Sequence, residues 1–157
     1  MNIKETEMKS FSKAMMAGLV ATVVLSIVMV MKSVMGIMPE LDLPRMIAGM
    51  MGMPNEPAVG WAVHFMIGVV GYGVALALLD NHLPGENRVW HGVLIAIGGW
   101  LIMMVMLMPM AGVGLLGMNM GIAAPVMTLA LHVMFGAILG GYYGYALRKD
   151  LAATSRA

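Results

Sequence analysis

The sequence predicts an all-α membrane protein, a bundle of four transmembrane helices in one membrane domain over residues 1–157. Hydrophobic residues make up 61% of the chain and charged residues only 11%, a composition far from that of a soluble domain. No Asp, Glu, Lys or Arg occurs between Val89 and Leu147, a stretch long enough for two spans and their connection. The charge-free stretches Ala14–Met31 and Ala58–Leu79 supply the other two spans.

The predicted spans run over about residues 14–36, 58–79, 89–110 and 125–147. Pro57 and Pro125 suit the first turn of a helix, where a missing N–H is not needed. Pro84-Gly85 marks the turn between the second and third spans. In the first long connection, Asp42 or Leu43 before Pro44 predicts the start of a short helix lying at the membrane interface.

The distribution of basic residues predicts the orientation of the bundle. Only Lys32 and Arg45 fall on one side of the predicted spans; the remaining basic residues fall on the other, namely Lys4, Lys9, Lys13, Arg88, Arg148, Lys149 and Arg156. By the positive-inside rule, both termini lie in the cytoplasm. The first apolar stretch is too long for a signal-peptide core and is expected to be retained.

Two segments of the chain share one pattern. Pro57 is followed by His64, Met66 and Gly68, and Pro125 is followed at the same spacings by His132, Met134 and Gly136. This indicates that spans one and two form a hairpin that spans three and four repeat. Because both hairpins start on the same side, the repeat is parallel.

His64 and His132 are the candidate site residues, because an ionisable side chain inside a bilayer is a functional-site hypothesis by default. Haem b is one candidate cofactor, with the two imidazoles as axial ligands and Gly68 and Gly136 leaving room for a flat macrocycle. A copper or zinc ion is another, with Met thioethers favouring Cu(I). The plainest alternative is a hydrogen bond across a helix interface. The residues leave these three interpretations open.

Glycines spaced along the second and fourth spans indicate close helix packing. Gly60 and Gly68 lie on one face of the second span; Gly136, Gly140 and Gly144 lie on one face of the fourth. We expect these faces to pack the two spans against each other. Since they exceed what four short helices need, they also favour a homo-oligomer or a place in a larger membrane complex.

Several kinds of chemistry are excluded or unsupported. The chain has no cysteine, which removes disulfides and thiolate metal sites, and no P-loop, G-x-S-x-G or H-E-x-x-H motif. No basic patch with aromatic residues points to nucleic acid. His82 and His91, beside the middle loop with Asp80, are expected to be solvated.

The function predicted is therefore that of a non-enzymatic integral membrane protein, an accessory or structural subunit or a homo-oligomer. The first alternative is a haem- or metal-binding protein for electron transfer or sensing through His64 and His132. A small-solute carrier is a weaker alternative, because it needs a polar cavity and few polar residues lie in the spans to line one.

The segment Met31–Asp42, which contains Met-Pro-Glu-Leu-Asp, and the segment Val59–Phe65, which contains Gly-Trp-x-x-His, resemble a family of small bacterial four-span membrane proteins of unknown function. The resemblance covers most of the chain. It implies a location in the bacterial inner membrane. It implies no activity, and no functional residue is carried over through it.

Overall fold

The structure is a computed structural model that describes residues 3–154, with the side chains of residues 8, 10–150, 152 and 153. The side chains of Lys4, Lys9 and Arg156, which enter the orientation argument, lie outside the described residues. Within this range every regular element is helical. Four helical stretches are long and apolar enough to cross a membrane, which confirms the predicted all-α membrane bundle.

The first span is the helix α1, Ile3–Val34, and the fourth is the helix α7, Ala123–Thr154. The second and third spans each contain one wider π-helical turn and are therefore described in parts. The second span consists of α3 (Pro57–Met66), a π turn (Ile67–Gly71) and α4 (Tyr72–Leu79). The third consists of α5 (Arg88–Ile102), a π turn (Met103–Leu107) and α6 (Met108–Met110).

A short helix, α2 (Leu43–Met50), lies between the first two spans. The Asp42 carboxylate accepts a hydrogen bond from the backbone N–H of Arg45 at 3.1 Å and so caps the first turn. The helix packs against the second span where Gly60 meets the backbone of Pro44. Its position at a membrane interface stays a prediction.

Each hairpin closes through a pair of glycines. In the first hairpin, Gly18 lies against the backbone of Gly68; in the second, Gly92 lies against the backbone of Gly136. With no Cβ at these positions, the helix backbones approach closely. The two hairpins thus share this contact, and the parallel repeat itself stays a prediction.

The expected glycine contact between the second and fourth spans is wrong. Gly60 packs on α2 and Gly68 on the first span, beside Thr22, while Gly140 and Gly144 pack on the third span at Arg88. The reason is geometric. Each of these glycines packs against a neighbouring helix of its own hairpin, so none of them lies between the second and fourth spans.

The two hairpins join mainly through the first and fourth spans. The hydroxyls of Ser10 and Tyr143 lie 2.6 Å apart, and Lys13 forms an ion pair with Asp150. Small side chains of the first span, such as Ala14 and Ala21, are fully buried in this contact region. The second and third spans touch each other far less, and a cavity lies between them.

The bundle has two ends, which are named here by the elements they hold. The termini side holds Ser10, the loop of residues 80–88, and Asp150. The α2 side holds α2 and the connection of residues 111–122, which contains a short 3₁₀ segment, Leu115–Met120.

Candidate functional site

A cavity of about 550 Å³ lies within the bundle and is lined by residues of all four spans and of α2. This volume is within the range of small-molecule sites, which often lie between helices of bundles. Most lining residues are apolar. The exceptions are Thr22, Lys32, His64, Tyr72, Thr128 and His132.

His64 forms part of the cavity wall, and its side chain is 7% exposed. Its Nε2 atom is buried and has no hydrogen-bond partner among the described residues. The ring makes edge contacts with Trp61 and Phe65, at centroid distances of 5.6 and 6.1 Å. Because buried polar side-chain atoms are nearly always hydrogen-bonded, this nitrogen requires an explanation.

His132 lies in the wall of the same cavity and is half-buried. Its Nδ1–H donates to the carbonyl oxygen of Thr128, one turn earlier, at 2.8 Å. A carbonyl only accepts, so in the neutral ring the proton is on Nδ1 and the lone pair is on Nε2.

Thr128 holds this part of the wall in place. Its hydroxyl oxygen accepts a hydrogen bond from the indole N–H of Trp100 at 3.0 Å and lies 2.8 Å from the carbonyl oxygen of Ala124, to which it donates. The side chain therefore links the third and fourth spans, and its hydrogen-bonding groups are already used within the protein.

Lys32 has no N–H donor left for a ligand in the cavity. Its ammonium group lies 3.0, 2.8 and 3.0 Å from the carbonyl oxygens of Ile37, Met38 and Leu41. An ammonium has three N–H donors, so all three are used by the backbone that follows the first span.

Tyr72 crosses the middle of the bundle. Its ring packs edge-on against Phe135 of the fourth span at a centroid distance of 4.7 Å, and its hydroxyl lies against Gly99 of the third span. The contact between the second and fourth spans is therefore aromatic. Next to Gly99, Gly98 faces open space, since a Cβ there would meet no atom within 4 Å.

The structure brings some of the predicted site residues together and separates others. His64, His132 and Gly68 line the cavity, whereas Gly136 does not. A Cβ at Gly136 would lie 2.5 Å from the carbonyl oxygen of Gly92, so the third span fills this space. The expectation that Gly136 leaves room for a macrocycle is wrong. Among the described residues, no three His, Cys, Asp or Glu side chains are grouped to hold a metal ion.

A second buried polar cluster lies at the termini side. Asp80 Oδ2 is 2.7 Å from Arg88 Nη1, and Asp80 Oδ1 is 2.8 Å from His91 Nδ1. His91 Nε2 lies 3.1 Å from the carbonyl oxygen of Gly85, and the residue is 1% exposed. The expectation that His91 is solvated is wrong, because the loop folds back over the ring; His82 is exposed.

Sequence reasoning missed Tyr72, Trp100 and the cluster around Asp80. A signal for the cluster was available, because Asp80 and His91 are close in sequence and lie on either side of the loop that joins the second and third spans. No comparable signal pointed to Tyr72, whose role depends on the packing of three spans.

Comparison with known proteins supports the prediction of an uncharacterised family. No curated protein and no solved structure matches the chain. The model of a family of unknown function matches residues 8–153, almost the whole chain. The protein therefore belongs to the family of unknown function DUF6789.

Proposed function

We propose that this membrane protein binds a lipophilic small molecule in the cavity between its four spans, without catalysing a reaction. One observation carries the proposal: the unpartnered Nε2 of His64 lies in the wall of a cavity of about 550 Å³. A buried polar group left without a partner costs about 1–3 kcal/mol. A ligand that gives His64 a hydrogen bond or a coordination bond removes this cost.

The character of the wall supports an apolar ligand over a polar solute. Thr22 donates to the carbonyl of Gly18 at 2.7 Å, and Thr128 and Lys32 are likewise bonded to the protein's own backbone. These groups would have to break existing hydrogen bonds to hold a hydrated solute. A solute carrier is therefore the less supported alternative.

The glycine faces of the spans do not support the expected oligomer. The glycines that prompted it, including Gly68 and Gly136, are covered within their own hairpins. A role as an accessory subunit of a larger membrane complex remains compatible with ligand binding, with the cavity as the functional element of that subunit.

The resemblance to small bacterial four-span proteins supports a location in the bacterial inner membrane, and the charge distribution supports both termini in the cytoplasm. Lys13 and Arg88 lie on the termini side, and Arg45 lies in α2 at the other end. Fusion of a reporter active only in the cytoplasm tests this orientation: it should be active at the carboxyl terminus and inactive when inserted after Gly52.

Haem ligation is the second candidate for this site. The specific observation in its favour is the bond from His132 Nδ1–H to the Thr128 carbonyl, which orients the ring and leaves Nε2 as a potential iron ligand. It predicts a Soret absorption band in protein purified from haem-replete cells, lost in His64→Ala and in His132→Ala. Colourless protein from such cells contradicts it.

The main test of the proposal is native mass spectrometry of the protein released from a mild detergent. We expect a bound small molecule on the wild type and its loss in Gly98→Leu, since the new side chain would occupy the cavity. Gly141→Leu is the matched control, because Gly141 does not line the cavity and a Cβ there is in ordinary contact, at 3.8 Å. Equal occupancy in the two variants, or none in the wild type, contradicts the proposal.

A further inference from the structure

The cavity has a polar part and an apolar part. His64, His132 and Thr128 belong to its α2 side, where α2 itself closes the end. Toward the termini side the wall is formed by Ala75, Leu79, Leu83 and Leu94 of the second and third spans and the loop between them. An occupant that matches both parts has a small polar head and an apolar chain.

The cavity also opens to the side. Ile67 of the second span and Ile102 of the third are wall residues, yet they are 41% and 63% exposed. Leu79, farther along the second span, is 45% exposed and lines the cavity as well. Residues that belong both to the wall and to the outer surface mark an opening between these two spans. In a membrane this opening faces lipid, which gives a chain-bearing molecule a route of entry.

The head that fits is uncharged and carries hydroxyl groups. Lys32, the only Lys or Arg among the described wall residues, donates all three N–H groups to carbonyls, so no ammonium or guanidinium N–H is left to bind a phosphate or carboxylate. His132 in its neutral form offers an acceptor at Nε2, which calls for an O–H donor. His64, on a different span, has an unpartnered nitrogen that takes a second hydrogen bond.

From these features we infer that the occupant is a hydroquinone that carries an apolar chain, with its ring between His64 and His132 and its chain directed toward Leu79 and Leu83. A hydroquinone has two hydroxyls on opposite sides of one rigid ring and can serve two imidazoles on different spans. This inference rests on the proposed function, since it names the ligand class of the same cavity.

The inference makes a redox-dependent prediction. An oxidised quinone carries only acceptors and gives His132 Nε2 no donor, so the reduced form should bind more tightly. The difference of one satisfied hydrogen bond corresponds to about tenfold in Kd. A hydroquinone ring without a chain should bind about tenfold or more weakly than the chain-bearing form, because it leaves the apolar part empty.

The experiment titrates the wild type in nanodiscs with decyl-chain benzoquinol, the corresponding benzoquinone, and hydroquinone without a chain. Quenching of Trp61 and Trp100 fluorescence reports binding beside His64 and Thr128. We expect the quinol preference to disappear in His132→Phe and to persist in His82→Phe, because His82 is exposed and outside the cavity. Gel filtration and circular dichroism establish that each variant is folded.

The outcomes separate this inference from the proposed function. Equal binding of quinol and quinone, or a Soret band in the purified protein, overturns the hydroquinone assignment and leaves a ligand-binding cavity. Equal binding of the chain-bearing and chain-free rings overturns the assignment of the chain to the Leu79 end. If no probe binds and native mass spectrometry finds no bound molecule, the proposed function fails as well.

Discussion

His91 and His64 are both buried inside the bundle, and they differ in whether their nitrogens have partners. Both nitrogens of His91 lie within hydrogen-bond distance of oxygen acceptors, Asp80 Oδ1 at 2.8 Å and the Gly85 carbonyl at 3.1 Å. His64 Nε2 has no partner among the described residues. Burial alone therefore does not separate a structural histidine from a candidate ligand-binding one.

The two surroundings explain the difference. At the termini side, Asp80 and Arg88 complete a network that fastens the loop between the second and third spans. Around the cavity, the same two spans lie farther apart, and most of the wall residues are apolar. We infer that the first histidine stabilises the fold and that the second is kept for a molecule the chain does not itself supply. Substitutions in the two surroundings test this contrast.

Asp80→Ala should produce the largest loss of stability. It leaves Arg88 and His91 without their carboxylate, and breaking a buried charge pair on one side costs about 3–5 kcal/mol. Thermal unfolding in detergent measures the loss. Glu86→Ala, on an exposed residue of the same loop, is the control and should leave the midpoint unchanged. Equal midpoints for the two variants would show that the network does not hold the loop.

Gly140→Ala should destabilise the protein by about 1–3 kcal/mol through overpacking. A Cβ at Gly140 would overlap the carbonyl oxygen of Arg88 and push apart the third and fourth spans beside the Asp80 network. Gly141→Ala, one residue later, meets only Val89 at 3.8 Å and should be neutral. The same unfolding assay compares them, and a neutral Gly140→Ala would contradict the close approach.

Thr128→Val should cost about 0.6–1 kcal/mol, because Trp100 loses the acceptor of its indole N–H. A double-mutant cycle with Trp100→Phe isolates the hydrogen bond from the packing of the indole. We expect a coupling energy of that size between the two positions. Additive effects would mean that the bond contributes nothing measurable.

His64→Leu should change the stability of the ligand-free protein least, by about zero or by a small gain. The substitution removes a buried polar atom that has no partner among the described residues, which is nearly neutral when the shape is kept. His91→Leu is the matched comparison and should be strongly destabilising, because Asp80 loses one of its two partners and the Gly85 carbonyl loses its donor. If both variants lose the same stability, the contrast between the two histidines fails.

The sequence is sufficient to predict the number of spans and the two membrane histidines, because hydropathy and charge depend only on local composition. The ends of the helices differ from the predicted ones by a few residues; the first span, for example, ends at Val34. What the sequence could not show is which spans are neighbours. The spacing of Gly68 and Gly136 fits a contact between the second and fourth spans equally well, and their actual partners are Thr22 and Gly92.

The site was predictable only in part for the same reason. His64 and His132 were identifiable as costly residues in a bilayer, but the cavity that joins them results from the separation of the second and third spans. Tyr72 illustrates the limit. Its ring reaches Phe135 and Gly99 on two other spans, and no pattern within its own helix indicates this.

The wide turn at Ile67–Gly71 sets the angle about the helix axis between the side chains before it and the side chains after it. In an uninterrupted α-helix, the eight steps from His64 to Tyr72, at about 100° each, would leave the two side chains about 80° apart. A π turn absorbs one extra residue, which reduces that offset to about 20°. The phase of the helix is thereby reset, so that the imidazole and the phenol point into one cavity. Deleting Val70 would remove that extra residue, and the seven steps left in a regular α-helix, at about 100° each, would keep the two side chains about 20° apart, so that His64 and Tyr72 still face the same cavity.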